Sequence, residues 1–294
     1  MKHAYLLLLH NYDENLEFLL KSLDHLENDI FIHVDRKTIN FPFDKVRQQI
    51  KLSTLYFTPN RVDVSWGGSS QIDAELELLS CSTTRGCYQY YHLLSGSDLP
   101  LKSQDEIHDF FNKNDGKEFV DFFNKKFIDE KRVIYYHFFR NFYGRSETIN
   151  KFLVKMFSKL LLYFQILFRI KRTNKDINFQ KGSNWFSITD SLARYIVTKT
   201  DWIREIFSYT DCADEVFLQT LVINSRFIDN VYNLKFDNSI FGNMRLTLWD
   251  GKNCHVFTDK DIDVLKNTDA LFARKFDLTK QPKLRGWIEA LNLK

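Results

Sequence analysis

Tyr91-His92-Leu93-Leu94-Ser95-Gly96-Ser97-Asp98-Leu99-Pro100-Leu101-Lys102-Ser103 is the stretch on which the reading of the fold turns. An apolar run ends abruptly in small residues that present one carboxylate, Asp98. Pro100 forces an extended path, and Ser103 with Glu106 three positions on carries the signature of a capped helix start. A strand ending in such a loop is where open α/β sheets place ligand-contacting groups. The same residues also make an ordinary β-turn, and the flanking chain decides between the two.

Upstream, Ala4 to Leu9 reads as a buried strand. A turn at 10–13 follows, then an amphipathic helix to about Leu26 with Leu16, Leu19, Leu20 and Leu23 on one face. Ile30 to Val34 is a second strand, closing at Asp35. Strand, helix, strand in this order predicts a right-handed βαβ unit in a parallel sheet. Asp35 then sits at a strand's carboxyl end, where an acid accepts hydrogen bonds from a nucleoside; a solvated turn charge is the alternative. Thr54 to Phe57 is another strand. In Val64-Ser65-Trp66-Gly67-Gly68-Ser69-Ser70 the glycines permit close backbone approach, and Ser69 or Ser70 caps a helix from Gln71 to about Leu79. Such a helix start can hold an anion, but the Lys-Ser/Thr of a phosphate loop is missing.

Downstream, 118–123 and 132–139 read as strands, with His137 a structural side chain. The segment 150–172 alternates large apolar residues with Lys151, Lys155, Lys159, Arg169, Lys171 and Arg172 and contains no acid. It is too charged to span a bilayer. Two readings stand: a helix lying on an anionic membrane surface, or one packed on the core with its cations in water. Lys181 to Ile188 is a loop entering a short strand, and a helix runs from Thr189 or Asp190 through Val197. Asp211 and Asp214 form a cap pair that puts Glu215 in a helix's first turn. There the dipole favours a carboxylate able to act as a base at neutral pH, although acids populate first turns for structural reasons too. The C-terminal part runs through Met244 to Trp249 and on to Asp250-Gly251-Lys252-Asn253-Cys254-His255. Thr258 caps a helix whose first turn carries Asp259, Asp261 and Asp263; these Asp-x-Asp triplets are read as complements to the dipole, not as metal ligands. In Leu271 to Asp277 the adjacent Arg274 and Lys275, bracketed by phenylalanines, can clamp a diphosphate.

The chain of 294 residues, 44% hydrophobic and 27% charged, is globular in composition, and its net charge of +3 excludes a nucleic-acid binder on bulk charge. Most of its 28 Phe, 13 Tyr and 5 Trp belong to the core, with tryptophan and tyrosine faces available for sugar stacking. Four prolines and ten glycines argue against a loop-rich all-β fold. The scattered Cys81, Cys87, Cys212 and Cys254 form no C-x-x-C pair and read as free thiols, with a Cys81–Cys87 bridge as the alternative. Met1-Lys2-His3 leads straight into the first strand, so no signal peptide and a cytoplasmic location are expected. Without repeats or linkers, one domain over 1–294 is expected, its nucleotide-binding part about 1–125 and its acceptor and catalytic part about 126–294.

Ile32-His33-Val34-Asp35, Val64-Ser65-Trp66, 94–101, Lys181-Gly182-Ser183-Asn184-Trp185, Ala213-Asp214-Glu215 and Phe272-Ala273-Arg274-Lys275-Phe276 occur in the order seen in one family. Together they make the chain similar to the core-2/I-branching glycosyltransferases, which include β-1,6-N-acetylglucosaminyltransferases and peptide O-xylosyltransferases. The resemblance implies a GT-A type α/β fold, with a Rossmann-like mixed sheet flanked by helices. It implies inverting transfer of a sugar, GlcNAc favoured, from a UDP donor to a glycan hydroxyl, with no metal and no other cofactor. Glu215 would be the general base, and Lys275 with Arg274 would bind the diphosphate. Lys252 is the nearest match to the family's second cation and Arg245 the next. Asp35, Val34 and Trp66 would face the nucleotide, and Asp98 the donor sugar. Ser97, Trp185, Asp214 and Trp249 are assigned to the acceptor and sugar side. The chain lacks the family's luminal anchor and cysteine set and so resembles a bacterial member in surface-polysaccharide synthesis. Its expected partners are a UDP-sugar, a glycan or lipid-linked oligosaccharide, and the inner face of the plasma membrane through 150–172. A metal-dependent transferase of the same fold, using UDP-xylose, UDP-galactose or UDP-glucose, is the second reading. A silent glycan-binding protein on that scaffold is the third.

Overall fold

In the computed structural model, which describes residues 1–123, 131–142, 150–172, 176–236 and 241–291, the first third of the chain winds strand and helix alternately. The order is β1 (His3–Leu9), α1 (Glu14–Leu23), β2 (Asn28–Val34), α2 (Phe43–Gln49), β3 (Thr54–Phe57), α3 (Ser70–Arg85) and β4 (Tyr90–Ser95). These four strands are parallel, and the sheet is completed by the antiparallel β6 (Ser187–Thr189) in the order β3-β2-β1-β4-β6. The result is the mixed α/β sheet flanked by helices that the sequence predicts. β1 and β2 are buried almost throughout because helices cover both their faces. Alternate residues feed two cores: Leu7, Ile32 and Leu94 on one side, Leu6, Phe31 and Leu93 on the other.

Local chemistry sets the element ends. Asp13 caps α1 by accepting from the Leu16 N–H at 3.0 Å. Between β4 and α4 (Gln104–Lys113) lies the short β5 (Asp98–Pro100), and the Ser103–Glu106 capping box starts α4 as expected. After α5 (Lys131–Ile134), α6 (Asn150–Leu167) and β6 come α7 (Asp190–Thr198), capped by Thr189, and α8 (Thr200–Phe207). A 3-10 turn at Ala213–Glu215 precedes α9 (Phe217–Ile223). A second sheet, β5-β10-β7, joins β7 (Arg245–Thr247) to β10 (Phe272–Arg274), and the hairpin β8 (Trp249–Asp250) and β9 (Asn253–Cys254) projects between them. α10 (Ile262–Lys266) and α11 (Pro282–Leu291) close the described chain. All four cysteines are free, so the Cys81–Cys87 bridge does not form.

Three expectations are corrected. Residues 132–139 form no strand: α5 ends at Ile134, and side chains occupy the backbone groups a ladder would need. Gln165 bonds both the N–H and the carbonyl of Tyr136, at 2.8 and 3.0 Å, and Arg172 takes the Val133 carbonyl at 3.2 Å. Residues 118–123 are extended but pair with several partners in turn, forming only isolated bridges from Glu118 to Val231 and Phe119 to Ser187. Asp211 and Asp214 do not cap α9, whose N-cap position is Val216 with no side-chain bond. Cys212, in the left-handed region at φ 47°, turns the chain so that Glu215 lies in the 3-10 turn and not in the helix's first turn. Two helix limits also differ, α1 ending at Leu23 and α3 running on to Arg85.

Candidate active site

The carboxyl ends of β1, β2 and β4 share one edge of the main sheet, since Leu9 is in register with Val34 and Leu8 with Ser95. Asp35 follows β2 there and is buried. Its carboxylate accepts from the Lys37 N–H at 2.9 Å and meets the Lys37 ammonium at 3.1 Å. Arg61, given no role by the sequence reading, ties down the same corner by donating to the carbonyls of Val34, Asp35 and Thr38. Lys37 also reaches Asp63 and the Val64 carbonyl, so the loop that carries Trp66 starts beside Asp35.

At the end of β4 the chain makes the turn seen in the sequence, and Asp98 closes it by accepting from the Ser95 N–H. Ser97 donates its N–H to the Ser95 hydroxyl at 3.3 Å. Asp98 is 3% exposed, so the turn presents it to the protein and not to solvent. Its partner is Arg274, directly opposite on antiparallel β10, with Nε 3.3 Å from Oδ1. The Arg274 guanidinium lies 4.3 Å over the Trp185 ring, a cation–π contact on a largely buried indole. Lys275 is exposed, while its backbone is held by His255 and Phe257 and the next residue by Ser97 and Asn15. Lys252 and Trp249 are exposed on the β8–β9 hairpin, whose Gly251 takes the φ of 65° required at the turn. Arg245 is fully inside. It donates to the carbonyls of Asn243 and Phe186 and to the Ser187 hydroxyl, at 2.7, 2.5 and 3.1 Å, and burial lowers its pKa to about 9. An arginine so occupied has no reach to a ligand, which removes it as the second diphosphate cation.

The third cluster surrounds the 3-10 turn. Glu215 meets Arg132 at 2.9 Å and Lys181 at 3.0 Å, and both cations contact the same oxygen, Oε2. Gly182 donates its N–H to the Glu215 carbonyl at 2.9 Å. Only glycine fits at 182, because a Cβ there would lie 1.9 Å from the Asp121 carbonyl oxygen. Asp214 is buried and accepts from Gln71 at 2.9 Å, while Gln71 also accepts from the Gly67 N–H. The Cys212 N–H donates to the Gly67 carbonyl at 3.0 Å. The exposed Trp66, expected on the nucleotide side, thus stands beside the turn that carries Glu215. Burial, and then the charge of Glu215, pushes the Asp214 carboxyl up to about 7. Glu75, one turn after Gln71, is completely buried, and neither of its oxygens takes a hydrogen bond among the described residues. Burial and the neighbouring Asp214 raise its pKa as well.

The segment 181–185 joins these clusters: Lys181 reaches Glu215 at one end, and Trp185 carries Arg274 at the other. Lys181 opens the Lys181–Trp185 motif, where the sequence gives it no role, and Arg132 lies in a stretch whose apolar pattern reads as a strand. Gln71 and Glu75 lacked any sequence signal beyond helical spacing. The Asp-x-Asp triplets are structural in two of their three acids: Asp261 closes a capping box with Thr258, and Asp259 accepts from the Leu284 N–H at 2.9 Å. Among the described residues, the group able to converge on a metal is His25, Glu27 and His108, near the amino ends of β1 and β2 and at the opposite edge from Asp35.

The sequence model of the Core-2/I-Branching enzyme family matches residues 3–270. Xylosyltransferase 2 of Rattus norvegicus is 25% identical over 305 residues, covering 94% of this chain and 32% of its own length. Xylosyltransferase 1 of Homo sapiens is 22% identical over 311 residues, covering 97% and 30%. The chain thus spans about a third of the length of these curated relatives. Among solved structures, apo mouse xyloside xylosyltransferase 1 overlays 92% of this chain and 97% of its own at 8% identity, with a TM-score of 0.37.

Proposed function

The chain belongs to the Core-2/I-Branching enzyme family, and from that premise we propose that it is an inverting glycosyltransferase that moves a sugar from a UDP donor to a glycan hydroxyl. The observation that carries this reading is the 181–185 segment, which ties a half-exposed carboxylate at one end to a stacked, ion-paired arginine at the other. Inverting displacement needs those two functions together. Glu215 takes the proton of the acceptor hydroxyl as that oxygen forms its bond to the donor's anomeric carbon. The bond from that carbon to the diphosphate breaks on the opposite face, and its electron pair leaves on UDP. Arg132 and Lys181 load Oε2, so the open oxygen for the incoming proton is Oε1.

Lys275, the ion-paired Arg274 and the hairpin Lys252 are assigned to the charge developing on the diphosphate, the work a divalent metal does in other transferases. Asp35 and Val34 are assigned to the nucleoside, Ser97 to the donor sugar with the buried Asp98 holding its turn and Arg274 in place, and Trp66, Trp185, Asp214 and Trp249 to shaping the acceptor side. GlcNAc is the donated sugar we favour, and the xylosyltransferase relatives support UDP-xylose as a second reading. We place the reaction in bacterial surface-polysaccharide synthesis on the cytoplasmic side, with a glycan or lipid-linked oligosaccharide as acceptor.

A thermal-shift panel of UDP, UDP-GlcNAc, UDP-xylose, UDP-galactose and UDP-glucose, each with EDTA and with Mn²⁺, tests the reading. A ligand that binds only the native state raises its stability by mass action. Stabilisation by one UDP-sugar in EDTA is expected and names the donor. Stabilisation only with Mn²⁺ transfers the diphosphate role to a metal, and no shift with any nucleotide overturns the assignment in favour of a glycan-binding protein.

A further inference from the structure

α6 buries a polar residue and exposes apolar ones. Gln165 is its one buried side chain among the described residues, and it pins the helix to Tyr136 by two hydrogen bonds. Phe152, Leu153, Met156, Leu160, Tyr163 and Leu167 recur at helical spacing on the face away from that anchor and are 46 to 76% exposed. Single exposed apolar residues are ordinary, but a continuous stripe from Phe152 to Leu167 marks an interaction surface. The stripe continues into Phe139, itself exposed, whose ring lies 5.8 Å from that of Phe157. This packing removes the core-helix reading of 150–172.

Charge identifies what covers the stripe. Lys155, Lys159, Arg169 and Lys171 are exposed along and beyond the helix, and no acidic residue lies between 150 and 172. Arg172 is not among the available cations: it donates to the carbonyls of Val133 and Ile206 and to the Thr210 hydroxyl. No helix among the described residues is long and apolar enough to cross a membrane. An apolar stripe bordered by cations alone, on a helix that does not span, matches a surface with hydrocarbon below and phosphate at its own level. We propose that α6 lies in the interfacial plane of a bilayer containing anionic lipids and docks the protein there.

The docked face is joined to the candidate site. The Ser65 hydroxyl donates to the Asn141 carbonyl at 2.6 Å, and Asn141 donates to the Ser69 hydroxyl at 3.3 Å, fastening the segment behind Phe139 to the Trp66 loop. Arg132, ahead of the same segment, holds Glu215. Docking therefore brings the acceptor side of the site close to the membrane surface, a consequence that rests on the transferase reading, whereas the docking itself does not.

The test is vesicle sedimentation of the full chain with phosphatidylcholine vesicles and with vesicles that also contain phosphatidylglycerol. Wild type is expected to pellet with the anionic vesicles and to be released by salt. Lys155→Gln with Lys159→Gln is expected to lower partitioning about 30-fold, as follows from about 1 kcal/mol per cation at the surface. Leu160→Glu is expected to abolish binding. Both variants should melt as wild type does, because the altered side chains are exposed, and should still transfer sugar to a water-soluble acceptor. Wild type remaining in the supernatant overturns the proposal, as does equal binding by the variants. So does a dimer by light scattering that Leu160→Glu converts to monomer, which would assign the stripe to a second copy. Sedimentation needs no sugar donor, so failed docking and failed transfer are read separately.

Discussion

Glu215 carries two cations on one oxygen, and this asymmetry makes its role testable. Glu215→Gln keeps the shape and an acceptor for Arg132 and Lys181 but cannot take a proton. We expect kcat to fall on the order of 10²- to 10⁴-fold, the usual range for a general base, with UDP binding unchanged by calorimetry. Full activity in the variant would remove the assignment. Behind it, Asp214 titrates from an ordinary 3.8 up to about 7 because it is buried beside another acid. The folded protein therefore holds a proton between about pH 4 and 7 that the unfolded chain has released, and stability falls as pH rises through that window. Asp214→Asn should flatten the decline, by a few kcal/mol in the difference between urea unfolding at pH 5 and pH 8. Equal pH slopes for wild type and variant would show that Asp214 is not the group responsible.

The end of β10 and the residue after it turn one pair of adjacent cations to two uses. Arg274 points into the protein against Asp98 and Trp185, and Lys275 points out. Removing each should separate structure from binding. Lys275→Ala should leave the melting temperature unchanged while weakening UDP by roughly 10- to 100-fold, the worth of one charge-assisted contact. Arg274→Ala should do both, because it strands the buried carboxylate of Asp98 at a cost of roughly 3 kcal/mol. If Lys275→Ala destabilised the fold as much as Arg274→Ala, the division would be wrong. The strand ladders show why such positions are legible unevenly. Strands β1, β2 and β4 were readable because each carries a short apolar run, buried where parallel strands are covered on both faces. Residues 132–139 are equally apolar, yet Gln165 and Arg172, some 30 to 40 positions away, take the backbone groups a ladder would use.

Over the whole molecule, the strand ends and turns that gather Asp35 and Asp98 at one sheet edge were legible because turn, cap and strand signals at Asp35 and Ser95 to Ser103 are local in sequence. The surroundings of Glu215 were not: Arg132, Lys181 and the α3 pair Gln71 and Glu75 reach it or its neighbour from three distant segments, and no spacing rule links them. The side of α6 that faces water was equally hidden, since a periodic stripe is the same whether it meets a core or a partner. Arg245 has a reach that its contacts do not show. A cation held between Phe186, Ser187 and Asn243, in electrostatic contact with Asp98, remains charged at neutral pH in a medium where fields decay slowly and dissolved ions do not enter. The buried Asp98 carboxylate is therefore answered by two guanidinium groups, Arg274 in ion-pair contact and Arg245 through its field. High ionic strength screens the exposed Lys275 and Lys252 but leaves this interior attraction between Arg245 and Asp98 in place.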